Sequence, residues 1–274
     1  MNNKHHAVWA VIALLIVFLA ILVWRMFDPT PRVVAPGGDV ATTTPAATPV
    51  ETLHIKESTV FYDIDAAYPS ATPLRESAGA EADAMAVTLM KNFEMNTIEG
   101  FKENSGLDTM TAEEFASQTF GRDAKYAMTI EYKVYESPKT ISYAYTIYQD
   151  TMGAHPNTYY RTFTFDRATG SALEPGDLFV EGAPYLDRLS ARTRADLPRI
   201  MAKMAETTPD QVDRDYINSG TMPIVDSFGN FVIEGTTLRM IFPPYQVGPY
   251  VYGTIEVPIP LSDLRDILDP NYRP

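Results

Sequence analysis

Of the chain's 274 residues 45% are hydrophobic and 21% charged, enough apolar material for a real core and a poor match to overall disorder. The net charge of −13 argues against a nucleic-acid partner, which needs clustered Lys and Arg; the lack of cysteine removes disulfides, thiolate zinc sites, thiol nucleophiles and lipid-modified cysteine. Of 22 basic and 35 acidic residues, three of each fall within the first 52, so the remaining 19 and 32 carry the whole −13. That acidity either steers a cationic partner or only confers solubility.

Ala7–Trp24 is a run of 18 apolar residues without a charge. At ~1.5 Å per residue it spans about 27 Å, close to a hydrocarbon core of ~30 Å. Trp9 and Trp24 sit near its ends, as interfacial anchors do. Arg25, Met26 and Phe27 follow where a cleaved signal peptide would place a small-x-small site, so an uncleaved transmembrane anchor over residues 7–25 is favoured. Lys4 before the span and Arg25 and Arg32 after it leave the positive-inside count nearly balanced. Residues 26–52, rich in Pro, Thr and Ala, read as a tether. The simplest arrangement is a cytoplasmic tail of residues 1–6, contact with the lipid bilayer through Ala7 to Trp24, and an extracytoplasmic C-terminal domain.

From Leu53 the pattern turns globular. Leu53–Asp65 reads as one or two strands, and Ala80–Phe101 as a helix with Ala82, Ala86, Leu89, Phe93, Thr97 and Phe101 on one stripe and Glu94 off it. Thr111 and Glu114 make a capping box for a helix over 112–119, which Gly121 ends. Tyr126–Tyr135 alternates, a polar turn follows at Ser137–Thr140, and Ile141, Tyr143, Tyr145 and Ile147 form the next apolar face. Over Tyr159–Phe165, Phe163 and Phe165 point inward and Thr162 and Thr164 outward. Asp166–Gly170 is a tight hairpin turn with Gly170 as its left-handed residue. A helix begins near Pro184, with Pro198 kinking or ending it, and a second begins at Thr208–Gln211. Asn230–Ile233, Leu238–Phe242 and Tyr250–Ile259 are the last strands, and Leu261–Leu268 closes as a short helix. The fold class expected is α+β, an antiparallel sheet with helices packed on it, preceded by one N-terminal transmembrane helix.

Two stretches carry candidate contact residues. In the turn Gly153–Asn157, His155 is a base, a ligand or a recognition group, while Asn157 and Pro156 order the turn or meet a partner. The alternative is that His155 and Asn157 only hydrogen-bond their own loop. In Pro243–Pro260 prolines stiffen the loop that presents Tyr245, Gln246, Pro249 and Tyr250. Tyrosines there suit a protein groove or a glycan face, or else they pack a sheet edge. The four histidines, His5, His6, His54 and His155, do not make a His-rich zinc site, no G-x-S-x-G nucleophile turn occurs, and no cofactor or metal is expected. Asp63 and Asp65 read as a solvated strand end, Asp213 and Asp215 as helix surface.

The pattern Y-x-D-x-x-G-A-H-P-N-x-Y-x-x-x-F-x-F-D-x-x-T-G-x-x-L, from Tyr148 to Leu173, is followed by Asp177-Leu178-Phe179 and P-P-Y-Q-V-G-P-Y-V-Y-G-T-I-E-V-P-I-P. Together they resemble the DUF3298 domain, here residues 150–270, and residues 53–149 resemble the DUF4163 region that often precedes it. The resemblance implies a domain outside the bacterial membrane, as beside peptidoglycan deacetylases or in lysozyme-sensing anti-sigma factors. It implies binding of lysozyme, a basic protein, or of peptidoglycan. Six residues before the span leave no room for a sigma-factor-binding segment, and no deacetylase domain follows Leu268. The expectation is therefore a non-catalytic, membrane-anchored binding protein of the cell envelope; the alternative is an envelope enzyme acting on peptidoglycan glycan with carboxylates and His155.

Overall fold

The computed structural model describes residues 50–74, 76–119 and 124–274. The expected tail, the anchor at 7–25 and nearly all of the tether lie outside them, as does Gly121. Among the described residues no helix is long and apolar enough to cross a membrane.

Strands β1 (Thr52–Ser58) and β2 (Tyr62–Pro69) form a hairpin, helices α1 (Gly79–Asn104) and α2 (Ala112–Thr119) follow, and then β3 (Tyr126–Glu136), β4 (Thr140–Asp150), β5 (Asn157–Asp166) and the short β6 (Ala172–Leu173) complete a six-stranded sheet in chain order. The architecture is α+β, but one pair departs from the antiparallel expectation: β3 runs parallel to β2. The two helices between them carry the chain back to the end it started from, the kind of connection a parallel pair requires. The local devices read from the sequence are present. The Thr111 hydroxyl accepts from the Glu114 amide at 3.2 Å, and the Glu114 carboxylate accepts from the Thr111 amide at 2.8 Å. At the hairpin turn the Asp166 carboxylate accepts from the amides of Ala168 (2.8 Å) and Thr169 (3.0 Å), and Gly170 has φ 73°.

The helix phase is where the sequence reading needs correction. The residues α1 buries are Ala86, Met90, Glu94, Ile98 and Phe101, while Leu89 is 42% exposed. Phe93 sits at the border of this face, its ring edge-on to Tyr145 (5.7 Å) and Phe163 (5.5 Å), which turns Met90 and Ile98 inward. The same rotation brings Glu94, expected at the surface, fully inside. Neither oxygen of its carboxyl group nor the buried Tyr145 hydroxyl has a hydrogen-bond partner among the described residues. Burial pushes the Glu94 acid up to about 8, so it is mostly protonated at neutral pH.

The second half holds α3 (Tyr185–Met204), α4 (Arg214–Gly220) and a three-stranded antiparallel sheet of β7 (Phe231–Glu234), β8 (Thr237–Phe242) and β9 (Ile255–Pro260). Helix α3 does not end at Pro198 but runs on to Met204, because Leu197, Met201 and Ala202 are all buried in the core it shares with the second sheet. The helix expected at Thr208–Gln211 starts instead at Arg214, where the Asp213 carboxylate accepts from the amides of Asp215 and Tyr216, each at 3.0 Å. Tyr250–Tyr252 is a single 3-10 turn, so the last strand begins only at Ile255, and Leu261–Leu264 is likewise a 3-10 turn.

The elements stack in the order α1, six-stranded sheet, three-stranded sheet, α3. Ile141, Tyr143, Tyr145 and Ile147 of β4 face α1, whereas Ala144 packs with Val232 and Ile241 of the second sheet. Thr162 and Thr164, expected to point to solvent, are buried at this seam. The Thr162 hydroxyl accepts from the Phe231 amide at 3.0 Å, Ser142 accepts from the Ile233 amide at 3.2 Å, and Thr164 donates to Ser142 at 3.0 Å. The face of the second sheet turned away from this seam carries Phe231, Ile233, Leu238, Met240 and Val257 in the α3 core.

Candidate functional site

The two stretches singled out in the sequence meet. The β4–β5 turn places His155 against Tyr250, ring centroids 4.9 Å apart and planes inclined by 27°, and Tyr245 lies 5.4 Å from Tyr250 on its other contact. His155 is exposed, Tyr245 is 50% exposed and Tyr250 38%. Three rings thus form an open aromatic ledge rather than a packed sheet edge.

Each side of the ledge is built stiffly. On the turn, the Asp150 carboxylate accepts from the Met152 amide at 2.8 Å and Met152 adopts φ 58°. His155 Nδ1 donates to the Pro156 carbonyl at 2.9 Å, so in the neutral ring Nε2 is left as an acceptor. On the opposite loop Tyr245 has φ 69°, a left-handed conformation that a side-chain-bearing residue adopts only when its surroundings impose it. What imposes it is the socket below. The Gln246 side-chain amide donates to the carbonyls of Gly220 (3.0 Å) and Ser227 (2.9 Å), and Val247 is fully buried. Gly220 lets the loop approach: a Cβ there would lie 1.8 Å from the Gln246 carbonyl oxygen. Two of the three non-glycine residues with positive φ among the described residues therefore flank this ledge.

The expected contact residues accordingly divide. His155, Tyr245 and Tyr250 are gathered, with Pro249 exposed beside Tyr250. Gly153 and Asn157 are exposed at the ends of the turn, Asn157 as the first residue of β5 paired with Gln149. Gln246 has its amide committed to the socket. The partners Gly220, Ser227 and Val247 were not legible, since a glycine at a helix end and a serine in a short turn announce no long-range role. Among the described residues no group of three or more His, Asp or Glu is gathered as a metal site. The carboxylates of β2 are partnered: Asp65 with His54 (2.5 Å) and Lys56 (2.9 Å), Asp63 with Lys125 (3.1 Å).

Residues 176–262, which carry α3, α4, the second sheet and the 245–250 loop, match the family model described as a protein of unknown function, DUF3298. These residues belong to DUF3298. The fold agrees. A DUF3298 family protein from Pseudomonas aeruginosa superposes with a TM-score of 0.53 at 16% identity, covering 83% of this chain and 98% of that one. A DUF3298 member from Bacteroides fragilis gives 0.52 at 18%, covering 81% and 94%. In sequence, the chain is 29% identical over 146 residues to the peptidoglycan-N-acetylmuramic acid deacetylase PdaC of Bacillus subtilis, 53% of this chain and 30% of that protein. It is 27% identical over 145 residues to the esterase Rv3036c of Mycobacterium tuberculosis, 52% of this chain and 60% of that protein. The chain thus spans less than two thirds of either relative. The His155 turn precedes the DUF3298 segment, so the ledge is assembled from inside and outside it.

Proposed function

We propose that this chain is a non-catalytic binding protein of the bacterial cell envelope, held in the membrane by residues 7–24 with its C-terminal domain extracytoplasmic, and that it grips peptidoglycan through His155, Tyr245 and Tyr250. The observation that carries the reading is the ledge of three exposed rings on two anchored loops, His155 stacked on Tyr250 and Tyr245 tilted against it. Flat amphipathic rings offer apolar area to the C–H face of a sugar while their hydroxyl and imidazole edges reach its polar rim, and a rigid presentation keeps the entropic cost low. The likeness to a peptidoglycan deacetylase supports the choice of ligand. Against catalysis stands the surrounding of His155, whose ring bonds the Pro156 carbonyl and stacks on Tyr250 with no carboxylate bonded to it among the described residues.

The test is co-sedimentation of the full chain with purified sacculi. Tyr250→Ala, with an unchanged circular dichroism spectrum, weakens retention at least tenfold, as loss of a central aromatic anchor costs about 2 kcal/mol or more. Equal retention of wild type and variant would refute the ledge as the site. Protease added to intact cells removes the domain; a protected domain refutes the orientation. The charge of −13 favours a second reading, capture of the basic protein lysozyme. In that case lysozyme, not sacculi, retains the chain, and the affinity falls steeply with salt.

A further inference from the structure

A cavity of about 560 Å³ opens between the C-terminal half of α1, the end of α2 and the ends of β4 and β5. Its described lining holds no carboxylate, amine or guanidinium, in a chain where 21% of residues are charged. What it presents is neutral and hydrogen-bonding. Gln149 and Tyr159 line one wall, the Gln149 side-chain amide donating to the Tyr159 oxygen at 3.1 Å, which leaves the Tyr159 O–H free to donate. Tyr126 donates to the Gln118 side-chain carbonyl, which leaves the Gln118 amide nitrogen as a donor. Both pairs orient their polar atoms before any ligand arrives.

The opposite wall is α1, and its sequence there is unusual. Asn96, Gly100 and Asn104 follow at four-residue intervals on one face and all line the cavity. Glycine weakens a helix interior, and here neither of its usual justifications applies. Gly100 is not a left-handed position, and a Cβ built on it would meet nothing within 4 Å. What glycine supplies at this point is open floor between two asparagine amides.

We infer that this cavity is a binding site for an uncharged saccharide unit. Its size falls in the range of small-molecule sites. A phosphate, an acidic peptide or a metal ion would be desolvated there without a counter-charge among the described lining residues. Sugar hydroxyls, each donor and acceptor at once, match a lining of amides and phenols with the Phe101 and Tyr126 side chains beside them. The inference stands on the cavity alone and does not rest on the His155–Tyr245–Tyr250 ledge, although Thr151 of the same turn lines it.

The experiment is isothermal titration of the full chain, in mild detergent, with chitotriose, maltotriose and the fully deacetylated, cationic chitosan trimer. Wild type binds at least one neutral trimer more tightly than the cationic one. Gly100→Leu, which fills the floor with a good helix former, abolishes that binding while helicity is kept, and Asn96→Ala on the exposed helix face weakens it at least threefold. Absence of binding by both neutral trimers, tighter binding of the cationic trimer, or neutral binding that survives Gly100→Leu overturns the inference. Loss in Tyr250→Ala with survival in Gly100→Leu assigns the sugar to the ledge and equally overturns it.

Discussion

Glu94 offers a quantitative test of how the first core is packed. Its acid ionises near 4.5 in an exposed chain and is pushed up to about 8 by burial in the fold. Below pH 4.5 both states are protonated and the group contributes no pH dependence. Between 4.5 and 8 the unfolded chain releases the proton and the folded one does not, so stability falls by about 1.4 kcal/mol per pH unit. The whole interval amounts to about 5 kcal/mol, flattening above pH 8. In Glu94→Gln the amide cannot ionise, so the variant loses this slope, and any cost of the amide itself is a pH-independent offset. Urea unfolding followed by circular dichroism at pH 4.5, 6, 7.5 and 9 measures it. The stability of the variant relative to wild type should rise steadily from pH 4.5 to 8 and then level off. A difference that stays flat over that interval would refute the burial of an uncompensated acid under α1.

Three further outcomes follow from the geometry. Gln246→Ala deprives the Gly220 and Ser227 carbonyls of their donors, and about 1–3 kcal/mol of stability should go in a denaturant titration, with the ring contacts at Tyr250 loosening in nuclear magnetic resonance spectra. Asp213→Ala removes the cap of α4 and should cost about 1 kcal/mol in the same assay. Gly100→Ala should raise stability by about 0.5–1 kcal/mol, because the added methyl group meets no neighbour; a loss would mean the site is crowded.

Much of the fold was legible because its signals are local. Alternation over β3 to β5, the Thr111–Glu114 box and the Asp166–Gly170 turn each act within a few residues, and each is where it was read. What escaped depends on distant partners. The phase of α1 is set by the rings of Tyr145 and Phe163 on the sheet, so the helix pattern alone put Glu94 on the wrong side. Thr162 and Thr164 look like solvent-facing residues until the second sheet supplies the Phe231 amide for Thr162 to accept from and the Phe231 carbonyl for Thr164 to donate to. Pro198 is carried inside a helix by buried neighbours on either side of it. At the candidate site, both loops were visible as unusual runs of proline, glycine and aromatic residues. That His155 would stack on Tyr250 was not, because no local rule links a β4–β5 turn to the loop between β8 and β9 of the other sheet.

The seam between the sheets has a consequence for how such a protein is inherited. The Phe231 and Ile233 amides lie within residues 176–262, yet the hydroxyls that accept from them, on Ser142 and Thr162, lie outside. Recombination that moved the 176–262 segment alone into another gene would leave two buried donors unsatisfied and strip the cover from Val232 and Ile241. A host gene must therefore receive β4 and β5 along with it, or already encode a strand pair with small hydroxyl residues at the same spacing. The unit of transfer is the pair of sheets.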